Sequence, residues 1–206
     1  NSRRLKPMDS FRFWNNHGKS FYNLSPWNRS LSDAHVSRGL AVADYDNDGA
    51  IDLLIVDRDG GARLLHNQIS AGNWLELQLR SRAGKRKLPL GFGDGATVVA
   101  SVGNKTLHKS ISSASYLSQS SRKIHLGLGK ASRVDKVEVH WSGGVTDSFT
   151  NLDTNAVFEI RQGDHQVHRP SLAPGMPPSG ANTQPAAKPL SREQTVAFWT
   201  RQREAM

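Results

Sequence analysis

An all-β fold is the class that the sequence predicts, and three observations support it. Apolar or alternating runs of about four to eight residues recur along most of the chain. Gly, Asn, Asp and Ser residues separate these runs at spacings that are typical of β-hairpins. Residues 10–163 lack the apolar period of about 3.6 that indicates an amphipathic helix. The elements below are taken in chain order.

The first predicted unit covers residues 10–69 and consists of short strands and turns. Residues 15–18 (NNHG) form a turn between two extended runs, and residues 31–38 form a polar loop before the next strands. The strands predicted for this unit are residues 11–14, 20–24, 39–43, 53–56 and 62–67.

The second predicted unit covers residues 72–163 and is a separate all-β domain. Leu75, Leu77 and Leu79 alternate with polar residues, which predicts a half-buried strand. The turn spacing favours a sandwich or a barrel-like meander. The further strands predicted are residues 96–102, 105–111, 122–126, 134–141 and 156–161.

The last 43 residues of the chain, 164–206, have a different composition. Residues 164–190 carry six of the nine prolines and few large apolar side chains, which predicts a disordered or extended linker. Residues 191–206 then begin like a capped helix, with Ser191 at the N-cap and Gln194 three residues later. So short a helix is marginal in water, and we expect it to pack on a neighbour or to fray.

The most informative motif is an aspartate loop at residues 44–52 (DYDNDGAID). Carboxylates at alternate positions of a tight loop repel one another, so a hard divalent cation is expected to neutralise them. Calcium takes about six to eight oxygen ligands in a flexible shell, and Gly49 lets the chain turn sharply between the early and late ligands. The predicted calcium ligands are Asp44, Asp46, Asp48, the backbone carbonyl of Ala50, and Asp52.

The loop is not an EF-hand. Position twelve of that motif is a bidentate Glu between two helices, whereas this chain has Ile55 there and apolar strand-like runs on both sides. The ion is therefore expected at the mouth of a β-hairpin, as a staple rather than a catalyst. A solvated Asp/Asn/Gly turn without metal is the alternative interpretation.

Composition bounds the function further. The chain has 206 residues, a formal net charge of +9 and no cysteine, which excludes disulfides and thiolate metal sites. The densest basic run, residues 80–87, is typical of a solvated loop, and no nucleic-acid-binding motif accompanies it, so nucleic acid is an unlikely partner. No stretch reaches the roughly 18 apolar residues of a membrane helix, and no nucleotide loop or G-x-S-x-G elbow is present.

Two family resemblances follow from these motifs. Residues 15–21 (NNHGKSF) with the aspartate loop resemble an FG-GAP/VCBS repeat. Residues 65–67 (LHN), 91–98 (GFGDGATV), 115–119 (SYLSQ), 125–129 (HLGLG) and 139–144 (VHWSGG) resemble the ASPIC/UnbV domain. Residues 85–90 depart from that pattern, because a basic insert stands where the family has Asn-Arg-Asp.

The resemblance implies the end of a seven-bladed β-propeller, about one blade with its calcium loop, followed by a small β domain. The upstream blades would then be missing from a C-terminal fragment. We expect a non-enzymatic, calcium-binding exported module, extracellular or periplasmic and bacterial, that serves adhesion or binds extracellular protein or polysaccharide. The alternative is an accessory domain of a secreted enzyme whose catalytic part lies outside these residues. A third hypothesis, nucleic-acid binding through the basic surface, predicts an affinity that falls steeply with salt.

Overall fold

Thirteen β-strands account for the regular structure of the described residues in a computed structural model of the chain. The structure describes residues 7–16, 18–27, 31, 34–58, 61–68, 72–82, 91–111 and 117–170. The chain divides into two units, Asn1–Ser171 and Leu172–Met206. The second unit, with the predicted helix 191–206 and most of the linker, lies outside the described residues, as do residues 83–90 of the basic region.

The strands follow one another along the first unit, and a 3₁₀ turn at Ser25–Trp27 interrupts them. They are β1 (Phe13–Asn15), β2 (Phe21–Asn23), β3 (Ser37–Ala43), β4 (Asp52–Asp57), β5 (Ala62–Leu65), β6 (Asn73–Arg80), β7 (Thr97–Val102), β8 (Lys105–Ser110), β9 (Ile124–Gly129), β10 (Arg133–His140), β11 (Thr146–Asp153), β12 (Ala156–Arg161) and β13 (Val167–His168). The all-β class predicted from the sequence is confirmed.

Two four-stranded sheets form the larger part of this unit, in the orders β11-β10-β7-β8 and β13-β12-β6-β9. One buried apolar cluster draws side chains from both sheets, among them Leu77 and Phe158 from one and Val98 and Val137 from the other. Burial of this apolar surface is the main stabilising contribution to the domain. Leu75, Leu77 and Leu79 alternate along β6, and their side chains point into the core as predicted, since all three are at most 1% exposed.

Three predictions from the sequence differ from this domain in whole or in part. No strand is predicted at β11, Thr146–Asp153. Of the two predicted topologies, the sandwich agrees with two sheets that share one buried cluster, whereas a simple meander is wrong because β6 and β12 pair in parallel. A half-buried β6 is predicted, yet Glu76 on the opposite side is only 1% exposed, because other parts of the chain cover that side.

The residues before β6 form two smaller antiparallel sheets, β1-β2 and β3-β4-β5. The predicted polar loop at 31–38 is wrong at its end, since Ser37 and Arg38 already belong to β3. His35 forms an isolated bridge with Met8, so this stretch is tied to the start of the described chain by main-chain hydrogen bonds. The β3–β4 hairpin carries the aspartate loop and therefore positions the candidate site.

Candidate metal centre

The aspartate loop connects two strands that pair in register up to its base. Ala43 is opposite Asp52, and the strand pairing continues to Ser37 opposite Asp57 with one irregularity between Ser37 and Gly39. Apolar residues such as Val42 and Leu53 form the paired strands. The loop therefore begins and ends on a fixed hairpin, as the sequence predicts.

Three of the predicted ligands converge. Asp44, Asp46 and Asp48 each place a carboxylate oxygen within 4.8 Å of the others. Asp44 is only 2% exposed, and it accepts main-chain N–H bonds from Asp48 at 3.1 Å and from Gly49 at 2.8 Å. Such bonds wrap the loop around the first carboxylate and orient it toward the other two.

Asp52 has hydrogen-bond partners both inside the loop and in the chain that follows β5. It is 2% exposed and accepts N–H bonds from Tyr45 at 3.3 Å and Asn67 at 2.7 Å. Its other neighbours are His66, whose Nδ1 lies 3.2 Å from Asp52 Oδ1, and Asp46, which forms a second cluster with both residues. Asp46 is thus common to both clusters and connects Asp52 to the main one.

The remaining predicted ligand, Ala50, is buried, and its N–H donates to Asp48 Oδ1 at 2.7 Å. That bond orients Asp48. The backbone carbonyl of Ala50 as a ligand stays a prediction.

Two residues of the loop have positive φ angles, Asn47 at 60° and Gly49 at 91°. Asn tolerates this region better than most residues, and Gly adopts it without steric cost. Gly49 also has a second reason to be glycine, since a Cβ there would lie 2.0 Å from Nε1 of Trp74. The loop therefore packs directly against the indole at the start of β6.

The surroundings of Asp44, at the base of the loop, disfavour its ionised form. Burial raises the pKa of Asp44 above its ordinary value, and the nearby Glu76 carboxylate raises it further. The main-chain donor Gly49 and the ammonium group of Lys123 oppose this effect. A divalent cation would offset the cost of keeping such carboxylates ionised. The donor set fits calcium because it consists of hard carboxylate oxygens.

A second polar cluster lies beside the loop, on the β-sandwich. Lys123 forms an ion pair with Glu76 Oε2 and donates from Nζ to Asn47 Oδ1 at 2.8 Å. His125 stacks on Trp74, with ring centroids 6.2 Å apart, and its Nδ1 is 3.6 Å from Glu76 Oε1. Asp44, Glu76 and His125 form a third group of closely placed potential ligands. Because Lys123 already neutralises Glu76, this third group is a weaker calcium site than the carboxylates of the aspartate loop.

The β-sandwich has a recognisable family pattern. Residues 87–167 match the family model described as ASPIC and UnbV. The match begins in the stretch before β7 and ends at β13, so it includes β7 to β12 of the two sheets. It does not reach the aspartate loop, and the FG-GAP/VCBS resemblance of the earlier residues stays a prediction.

Curated relatives agree with the ASPIC/UnbV match. Over 130 residues the chain is 32% identical to cartilage acidic protein 1 of Mus musculus and of Homo sapiens, which covers 59% of this chain and 19% of each relative. It is 30% identical over 145 residues to cartilage acidic protein 1 of Xenopus tropicalis, covering 66% and 21% respectively. The chain therefore spans about a fifth of the length of these relatives.

In the described ranges, no helix has the length and apolar character that a bilayer crossing requires.

Sequence reasoning finds the acids of the loop but not the groups around them. Glu76 is hidden because it occupies the polar position of an alternating strand, where exposure is the usual outcome. His125 is a single histidine on the strand predicted at 122–126, and such a residue is more often packed or solvated than a ligand. Lys123 and His66 carry no local signal, since each meets the loop only through the fold.

Proposed function

We propose that the chain is part of a non-enzymatic, exported binding or adhesion module in which calcium holds the β3–β4 hairpin in shape. The convergence of Asp44, Asp46 and Asp48 within 4.8 Å carries the proposal. Asp52 would complete the site on the side of Asp46. When bound, calcium would supply charge neutralisation to these carboxylates, and no chemical step is assigned to it.

A location outside the cell suits this proposal. Extracellular modules use calcium sites that are weak by cytosolic standards, with dissociation constants of about 10⁻⁴ to 10⁻³ M. The chain lacks cysteine, and so calcium would take the stabilising role that disulfides have in many exported proteins. The relatives' name, cartilage acidic protein 1, is compatible with such a setting.

Exposed apolar side chains support the proposal that this hairpin ends a longer propeller. Leu40 and Leu64 of the three-stranded sheet are 51% and 52% exposed, and Phe13 and Phe21 of β1-β2 are also exposed. A neighbouring blade would cover such groups and the open strand edges. Recognition of a protein or polysaccharide would then use loops at the propeller and sandwich surfaces.

Calcium titration by isothermal calorimetry tests the site. We expect saturable binding of one ion by the unmodified chain, and binding at least about tenfold weaker in Asp46→Ala and in Asp48→Ala, because each variant loses a charged ligand. Asp153→Ala is the matched control, since this exposed acid lies on the sandwich away from the loop. Absence of heat with the unmodified chain, or equal weakening in the control, would refute the calcium site.

The rival proposal is an accessory region of a secreted enzyme. Because the aligned part is a fifth of each relative, catalytic residues could lie in chain outside these 206 residues. The sequence of the full gene separates the two: further FG-GAP blades upstream favour the propeller, and a hydrolase or oxidoreductase signature favours the rival.

A further inference from the structure

A cavity of about 410 Å³ lies between the β3–β4 hairpin and the β-sandwich. Its volume is within the range of small-ligand sites. The residues that line it include Asp44 of the aspartate loop together with Lys109, Ser120, Ser121, Arg122 and His125. The site is therefore adjacent to the loop and shares one carboxylate with it.

Two serine hydroxyls belong to the cavity lining. The hydroxyls of Ser120 and Ser121 accept N–H bonds from Val42 and Lys123, each at 3.2 Å. Within the described part of the chain neither hydroxyl donates to a protein acceptor, so each keeps a hydrogen for a ligand. A hydroxyl that accepts from the main chain is a natural donor to an oxyanion.

Two nitrogen atoms of lining residues are buried without a hydrogen-bond partner among the described residues: Nε of Arg122 and Nδ1 of His125. Asp94 forms an ion pair with Arg122 at 3.2 Å, but this contact lacks the alignment of a hydrogen bond. Glu76 Oε1 is 3.6 Å from His125 Nδ1, which is too far for one. Buried polar atoms in this state are costly. Because neither nitrogen is open to the cavity, a ligand oxygen would reach them only after these side chains shift.

The charges of the lining depend on the loop. Arg122 is paired with Asp94, and Lys123 with Glu76, whereas Lys109 has no ion-pair partner in the described ranges. Asp44 and Lys109 contribute opposite charges to the lining. A cation bound by Asp44 would offset the negative charge that this carboxylate contributes.

We propose that this cavity binds a small organic acid through its carboxylate, and that cation loading of the aspartate loop promotes this binding. The coupling to the cation rests on the proposed function, whereas the serine and lysine donors of the cavity do not. The anion would face Lys109 and Arg122, and the serine hydroxyls would donate to its oxygens.

Titration with sodium glucuronate, with and without calcium chloride at constant ionic strength, tests the proposal. We expect the calcium-loaded chain to bind glucuronate and not the neutral sugar glucose. Lys109→Met should weaken glucuronate binding about tenfold, because it removes one charge-assisted contact. Lys105→Met is the matched control, since Lys105 is exposed on the same strand and does not line the cavity; it should bind as the unmodified chain does.

Asp44→Asn separates this proposal from the calcium site. It removes the carboxylate charge without a metal, so glucuronate binding should become independent of calcium. If calcium gives no heat but Asp44→Asn binds glucuronate, the calcium site and its coupling to the cavity fail, and the anion site stands. If neither the calcium-loaded chain nor Asp44→Asn binds glucuronate, or if Lys109→Met binds as well as the control, the anion site is refuted. Should Asp44→Asn not fold, the comparison of the two lysine variants decides.

Discussion

Gly49 shows how one residue meets a local and a distant requirement. Its place in the aspartate loop predicts a sharp turn from sequence, and its φ of 91° agrees with that prediction. The distant requirement is the indole of Trp74, which occupies the space a side chain would take. Sequence spacing could not indicate it, because the contact joins the loop after β3 to a strand of another sheet.

Gly49→Ala should therefore lower the free energy of unfolding by about 2–3 kcal/mol, since strain at positive φ adds to a clash with the ring. Gly144→Ala is the matched control: its φ is 81°, and a Cβ there meets no atom within 4 Å. We expect the control to cost about 1 kcal/mol. Urea denaturation of both variants measures the difference, and equal losses would contradict a role for the Trp74 contact.

At the scale of elements, a polar cluster ties β3 to the end of β4 and to β5. Asp57 accepts from Ser37 Oγ at 2.7 Å and from Arg63 Nε at 3.2 Å, and His35 Nδ1 lies 3.2 Å from its Oδ2. The Ser37 hydrogen bond, followed by the Arg63 contacts, holds the pKa of Asp57 below its ordinary value of 3.8. Ionised Asp57 therefore stabilises the three-stranded sheet.

The sign of the pH dependence follows from that lowered pKa. The contribution of Asp57 is fully present above the unfolded pKa near 3.8 and is lost as pH falls through the lower folded value. Asp57→Asn should lower the Tm at pH 7, and the difference from the unmodified chain should shrink below about pH 4. Asp9→Asn, at an exposed site, is the control and should change the Tm little at either pH. A constant Tm difference across this range would contradict the assignment.

Some strands of the sandwich can be predicted from the sequence and others cannot. The predicted strands at 96–102, 105–111, 134–141 and 156–161 lie within one residue of β7, β8, β10 and β12 at each end. β11 escapes prediction because a polar residue points inward: Asp147 is 2% exposed and accepts from Trp141 Nε1 at 2.7 Å and from Gly163 N at 2.8 Å. A buried acid with its own donors breaks the apolar alternation on which strand prediction depends.

At the scale of the whole first unit, the hairpin and the sandwich are joined by hydrogen bonds that no local pattern predicts. Ser118 Oγ donates to Leu40 O at 2.7 Å, and Ser121 N donates to Val42 O at 2.9 Å. Lys123 adds the ion pair with Glu76 and the bond to Asn47. Composition and periodicity predict the two units. The contacts between these units join residues about 80 positions apart, and local periodicity carries no information about such contacts.

The Lys123–Glu76 pair lies within the sandwich beside these links, and it should be the most costly of the polar contacts here to break. Glu76 has a side chain only 2% exposed, so Lys123→Met would leave a carboxylate buried without its partner. We expect a loss of roughly 2–3 kcal/mol in the free energy of unfolding, less than for a fully buried pair because Lys123 is 22% exposed. Lys130→Met, at an exposed turn, is the control.

In the Glu76→Gln background the same Lys123→Met change should cost less than about 1 kcal/mol, because no charge is then left unpaired. Urea denaturation of the four chains of this cycle measures the coupling, and an equal cost of Lys123→Met in both backgrounds would show that the Glu76 charge is not what makes Lys123 costly to remove.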